Sequence, residues 1–212
     1  RLGFAYLQQG RLAAAQEELE FALVLGPDNS SAHHAMALLK LKLGHPVLAR
    51  EHYERAIVAD PGNYLVRNDF GSHLCALGLH LEGIDQLTAA VNDPFNSSRH
   101  ISHYRIGVCM NLSGRLEKAY AHLTKALRAQ PSSGPVLYEA ADVSFRLGRH
   151  LPARGFLERY FEQGKPTPDS LLLAVKNERE LGSEPLVQHY AYQLRMSYPD
   201  SPQAAEVKEL IS

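Results

Sequence analysis

The chain has no run of about 20 apolar residues, so no segment reads as a membrane-spanning helix. It also lacks an excess of charge of either sign. Its 22 Lys and Arg stand against 23 Asp and Glu, for a net charge of −1, so the electrostatic footprint of a nucleic-acid binder is not expected. Five basic residues around 105–128 (Arg105, Arg115, Lys118, Lys125 and Arg128) read as a solvated face. The local signatures of catalysis are missing: no P-loop, no GxSxG, no dinucleotide-binding glycine motif. Metal motifs of the HExxH, CxxC and EF-hand types are missing too. Eleven histidines remain, but His33 and His34 are adjacent and point to different faces of a helix. His100 and His103 could share a face yet have no third ligand near them in sequence, so these side chains read as packing or surface histidines. No metal or cofactor is expected.

What the chain does have is a beat. Gly10, Gly44, Gly78, Gly114, Gly148 and Gly182 follow one another at intervals of 34, 34, 36, 34 and 34 residues. A fixed period of 34 resembles the tetratricopeptide repeat, in which two antiparallel helices, A and B, form one unit of a stacked solenoid. With the glycine as position 15, small residues recur at position 8 (Gly3, Ala37, Gly71, Gly107, Ala141) and at position 20 (Ala15, Ala49, Gly83, Ala119, Ala153). They let helices A and B approach closely. Positions 20, 24 and 27 lie at i, i+4 and i+7 and form one apolar stripe on helix B. Proline stands at position 32 in four units, as Pro27, Pro61, Pro131 and Pro199, where it ends helix B. Pro94 and Pro166 lie one residue off that place.

The expected fold is therefore all-α: a right-handed tetratricopeptide-repeat superhelix forming one solenoid over 1–212. Its repeats are read as 1–29 (entered in mid-helix, hence expected to belong to a longer protein), 30–63, 64–99, 100–133, 134–167 and 168–201. Residues 202–211 read as a helix capping the stack, with Pro202 in its first turn. The two extra residues of the long interval fall near 92–98, in a surface loop.

Such a fold points to a protein-binding scaffold rather than an enzyme. In tetratricopeptide folds, positions 2, 5, 9, 12 and 13 of helix A face the concave groove. Here they supply Phe4, Leu7 and Gln8, then His34, Leu38, Leu41 and Lys42, then Leu65 and Asn68. Further on come Tyr104, Val108, Asn111 and Leu112, then Tyr138 and Phe145, and finally the charged Lys176, Arg179 and Glu180. A wall that is mostly apolar and aromatic suits a helix or an extended peptide. The two cysteines, Cys75 and Cys109, fall on helices A of neighbouring repeats. Their spacing alone fits a bridge or a pair of buried thiols equally well.

Several segments are more particular than the repeat. They include Leu2-Gly3-Phe4-Ala5-Tyr6-Leu7-Gln8-Gln9-Gly10, Asn68-Asp69-Phe70-Gly71-Ser72-His73-Leu74-Cys75 and Gly107-Val108-Cys109. Others are Pro166-Thr167-Pro168-Asp169-Ser170-Leu171 and Tyr198-Pro199-Asp200-Ser201-Pro202. Together they resemble the PilF/PilW family of type IV pilus biogenesis lipoproteins, the pilotins, over nearly the whole length. Asn68 and Phe70-Gly71 match the family pattern before the first cysteine, and Asp69 departs from it. The resemblance implies a non-enzymatic monomer at the periplasmic face of the outer membrane, held only by an N-terminal lipid anchor that this chain does not include. It implies the pilus secretin as partner, and the first two repeats, with Phe4, Leu7, Leu38 and Leu41, are read here as the centre of its site. A periplasmic setting also favours a Cys75–Cys109 bridge, which with 33 residues between would contribute about 3 kcal/mol. The competing readings are a generic repeat adaptor, or the repeat domain of a larger secretion or chaperone protein. A carboxylate-clamp adaptor is poorly matched, since of its basic and Asn positions only Arg105 fits.

Overall fold

The computed structural model describes residues 2–211, and among them there are thirteen α-helices and no strand. In order these are α1 (Leu2–Gln8), α2 (Leu12–Leu25), α3 (Ser30–Lys42), α4 (Pro46–Ala59), α5 (Tyr64–Ala76), α6 (His80–Asn92) and α7 (Arg99–Leu112). Then follow α8 (Leu116–Ala129), α9 (Gly134–Arg146), α10 (His150–Phe161), α11 (Pro168–Glu180), α12 (Glu184–Ser197) and α13 (Pro202–Leu210). No helix among the described residues is long and apolar enough to cross a membrane. The chain divides into two compact units, one ending at Ser102 and the other beginning at His103.

The six periodic glycines all lie in the left-handed region, with φ between 66° and 79°. Each closes helix A with the same pair of bonds. At Gly44, for example, its N–H donates to Leu41 O at 3.0 Å and the following His45 N–H donates to Lys40 O at 2.8 Å. This is the Schellman arrangement, which needs a left-handed residue just past the helix, and glycine takes that conformation without strain. The second stop signal is proline. Helices α2, α4, α8 and α12 end two residues before Pro27, Pro61, Pro131 and Pro199. The residue between, which proline disfavours as helix, has φ from −134° to −146°. At Pro166 the pattern differs. Helix α10 already stops at Phe161, and a loop containing Gly164 leads to the proline.

Helix starts are satisfied locally. Asn29, Asn63 and Ser201 accept the backbone N–H three residues on, and Thr167 with Ser170 forms a capping box.

In the first unit the hairpins α1–α2, α3–α4 and α5–α6 close around small residues. Ala15, Ala37, Ala49 and Ala56 are fully buried. The closest pairing is α5 on α6, where a Cβ on Gly71 would stand 2.8 Å from Gly83 O. Two clusters form the core: Leu7, Leu19, Met36 and Leu39 in one, Tyr53, Val66, Phe70 and Leu74 in the other. Leu38 packs against both. In the second unit Leu157 and Ala174 belong to one cluster, and Leu171, Val187 and Leu194 to the next. Helix α13 adds Ala204 and Val207 to that last cluster, covering the face of α11 and α12. Gln203 and Glu206 of α13 tie it to Asp169 and Lys176 of α11 at 2.6 and 2.7 Å.

Candidate protein-binding faces

In the first unit the A helices α1, α3 and α5 carry the expected wall residues. Phe4 is 41% exposed and Leu65 54% exposed, so two large apolar side chains lie open on this set of helices. Leu38 and Leu41 are half-buried, held from behind by the core that they touch. Leu7 is buried among Leu19, Met36 and Leu39 and supports the wall instead of presenting itself on it. Gln8 and Lys42 are exposed at the helix ends.

The polar members of this wall are engaged unequally. His34 Nε2 lies 2.8 Å from Asp69 Oδ2, linking α3 to α5. His34 also leans on the buried Tyr53, which stacks on Phe70 at 5.3 Å between ring centres. Asn68 is only 4% exposed, and its Oδ1 has no hydrogen-bond partner among the described residues. An orphaned buried carbonyl costs on the order of 1–3 kcal/mol, so this position is not set by stability alone.

In the second unit, α7 brings Tyr104, Val108, Asn111 and Leu112, and α9 brings Tyr138 and Phe145. Leu112 is exposed, the two tyrosines, Val108 and Phe145 are half-buried, and Asn111 is buried. Asn111 is the hub of a network between α7 and α9. Its Nδ2 donates to Glu139 Oε1 at 2.8 Å and to Asp142 Oδ2 at 2.9 Å, while its Oδ1 accepts from Arg146 Nη1. Its partners on the next A helix therefore occupy that carboxamide.

Charge around this face is tuned by burial. Burial raises the Glu139 carboxyl above its ordinary range, against the pull of its Asn111 hydrogen bond. Burial first, and then Asp169, Asp142 and Glu139, push the Tyr138 hydroxyl up to about 12. Tyr104 is raised in the same way, by burial and Glu139. Both phenols are thus neutral donors at neutral pH. On α11, Arg179 and Glu180 are exposed, and Lys176 is engaged by Glu206. These are the materials of recognition: aromatic rings, apolar side chains and anchored hydrogen-bonding groups.

Cys75 and Cys109 are both buried and both disulfide-bonded, and neither is a free thiol.

Sequence reasoning passed over the buried Asn96 in the loop between α6 and α7. It donates to Ala90 O at 2.7 Å and to Ser102 Oγ at 3.0 Å, pinning the inserted residues. Its neighbour Phe95 is exposed. Nothing in the local sequence separates that asparagine from the others in the loop.

A tetratricopeptide repeat family profile matches residues 1–64. With the repeated hairpins and their left-handed turn glycines, this makes the chain a tetratricopeptide-repeat protein of the solenoid class. Over 201 residues it is 27% identical to the type IV pilus assembly protein PilF of Pseudomonas aeruginosa, a match covering 95% of this chain and 80% of that protein. The solved structure of Pseudomonas aeruginosa PilF superposes with a TM-score of 0.88 at 27% identity, covering 98% of this chain and 94% of that one. That of PilW, a widely conserved type IV pilus biogenesis factor, gives 0.91 at 26% identity, covering 97% and 94%. The chain is a PilF/PilW-like tetratricopeptide-repeat protein.

Proposed function

We propose that this chain is a non-enzymatic protein-binding scaffold of type IV pilus assembly in the cell envelope, and more closely a pilotin. In this reading it binds the secretin subunit of the pilus pore and promotes its outer-membrane localisation and multimerisation. It works as a monomer at the periplasmic face of the outer membrane, held there by a lipid anchor outside this chain. In that compartment Cys75 and Cys109 form one disulfide.

One observation carries the reading: Phe4 and Leu65 lie open beside the half-buried Leu38 and Leu41 on the A helices of a chain similar to PilF over 95% of its length. Exposed apolar side chains grouped on one set of helices mark an interaction surface. The second-unit face around Tyr104, Val108, Asn111, Tyr138 and Phe145 offers further contacts.

The test is co-purification from the native cell envelope, followed by Phe4→Asp and Leu38→Asp. Phe4 is open enough for the first variant to fold, and circular dichroism checks both. Recovery of an outer-membrane secretin with the parent, and its loss with folded Phe4→Asp, is the expected result. Recovery of cytosolic chaperones alone, or full secretin assembly with both folded variants, overturns the reading in favour of a general repeat adaptor.

A further inference from the structure

We propose that the cleft between α4 and α6, on the B-helix side of the first unit, is a second docking site. Its occupant is a short segment presenting an apolar side chain next to a lysine or arginine. The cleft encloses about 340 Å³, room for a few side chains. Its floor is apolar, made by Phe70 and Leu74 of α5 with Ile57 of α4, and Val58 stands on its lip 81% exposed.

The rim is acidic. Glu54, Glu82 and Asp85 line it with one cation, Arg50, and Arg67 reaches the lining residue Gln86 at 2.7 Å, so the acids still outnumber the guanidiniums. Arg50 donates to Glu54 Oε1 at 2.8 Å and to Glu82 Oε2 at 3.0 Å, joining the two helices at one end of the cleft. One guanidinium already shared by two carboxylates leaves Asp85 with no cation on it among the described residues. The complement of an apolar floor inside a net negative rim is an apolar side chain with a flanking positive charge.

The opening is a property of this pair of helices, not of the repeat. In the second unit the matching place between α8 and α10 is filled from within. Tyr120 stands six residues after its turn glycine, where the first unit has Arg50. Phe156 stands eight residues after its own, where the first unit has Gln86. The two rings meet edge to face at 6.3 Å, and Arg149 covers Tyr120 while pairing with Glu117. In the first unit polar side chains replace both rings, so a cleft remains above the buried Phe70 and Leu74, with Ile57 half-buried and Val58 exposed beside it.

The probe is a short acetylated peptide alternating leucine and lysine, titrated into 15N-labelled protein, with a leucine–glutamate peptide as control. Expected are amide shifts at Ile57, Val58, Phe70 and Leu74, weakening at high salt. Asp85→Lys should reduce the affinity at least about tenfold. Gln86→Phe, which copies the ring of the second unit, should abolish binding with the helical spectrum intact. Absence of shifts, equal binding of the glutamate peptide, shifts centred on Phe4 and Leu38, or full affinity in folded Gln86→Phe each overturn the proposal.

Discussion

His33 and His52 face each other across the α3–α4 hairpin with their Nδ1 atoms 3.0 Å apart. The other nitrogen of His33, Nε2, lies 2.8 Å from Pro27 O, an atom that can only accept, so Nε2 carries a proton. In the neutral pair His33 Nδ1 is therefore bare, and His52 Nδ1–H donates to it. Charging both rings would set two N–H donors against each other. The pair recurs 70 residues later as His103 and His122, 3.1 Å apart. Burial first, then His33, Arg55 and Lys40, lower His52 from 6.5 to about 4. Burial, His103 and Lys125 do the same to His122, and burial with Lys125 also lowers His103.

The consequence is a stability that falls with acid. A histidine whose folded pKa is depressed binds its proton more readily in the unfolded chain. Its contribution is complete above about 6.5, shrinks as pH falls, and is gone below about 4. Thermal melts should drop by about 5 °C or more between pH 7.5 and 4.5. The double variant His52→Gln/His122→Gln should flatten that slope. An unchanged slope in the variant would place the acid sensitivity elsewhere.

Two glycines separate conformational from steric demands. Gly114 has φ 74°, and a Cβ added to it would meet nothing within 4 Å, so Gly114→Ala should cost only the left-handed strain, about 1–2 kcal/mol. At Gly71 a Cβ would stand 2.6 Å from Leu87 Cγ and 2.8 Å from Gly83 O, a backbone atom. Gly71→Ala must push α5 off α6 and should cost about 2–3 kcal/mol. Urea unfolding of the two variants checks the order. A Gly71→Ala milder than Gly114→Ala would contradict this packing.

Arg154 grips Glu178 from α10: Nε donates to Oε1 at 2.9 Å and Nη2 to Oε2. Glu178 is 1% exposed, so the pair matters less for its net attraction than for what its breakage leaves behind. Arg154→Met strands a buried carboxylate and should cost about 3–5 kcal/mol, whereas Arg154→Met/Glu178→Met should recover most of the loss. A single variant costing under about 1 kcal/mol would mean that water reaches the carboxylate.

The difference between the glycines and Glu178 also marks what a reader of the sequence can reach. The turn glycines and the prolines after helix B act through their own backbone and that of adjacent residues, so a period of 34 reveals them directly. Ala15, Ala49, Ala119 and Ala153 were equally visible, because a helix crossing needs small size at fixed spacing. The partner of a buried polar group is chosen across the fold. Glu178 meets Arg154 from 24 residues away, and Asn111 finds Glu139, Asp142 and Arg146 on the next A helix. Helical position put Asn111 and Leu7 on the wall, and only packing shows that one is held by a network and the other by the core. Asn68 is the converse, a position whose expected polarity finds no partner in the described fold.

That orphaned carbonyl gives a test that sets stability against binding. Asn68→Leu replaces a buried acceptor by a side chain of comparable length and should leave stability unchanged or raise it by about 1 kcal/mol. Binding should weaken if the asparagine serves a partner at this wall. A loss of more than about 1 kcal/mol on substitution would show that the carbonyl is satisfied in solution.

The cysteines offer the most direct chemical check on compartment. Both are disulfide-bonded, so denatured, unreduced protein should present no reactive thiol, and reduced protein should present both Cys75 and Cys109. With no other cysteine in the chain, the oxidised species should run as a monomer under non-reducing conditions. Reduction should lower the unfolding free energy by about 3–4 kcal/mol, the order of the chain-entropy value for a loop of this size. Cys75→Ser/Cys109→Ser should unfold at the same temperature with or without reductant. If unreduced, denatured protein from the native envelope gave a full thiol titre, the disulfide would be absent in the cell, and the periplasmic reading would lose its chemical support.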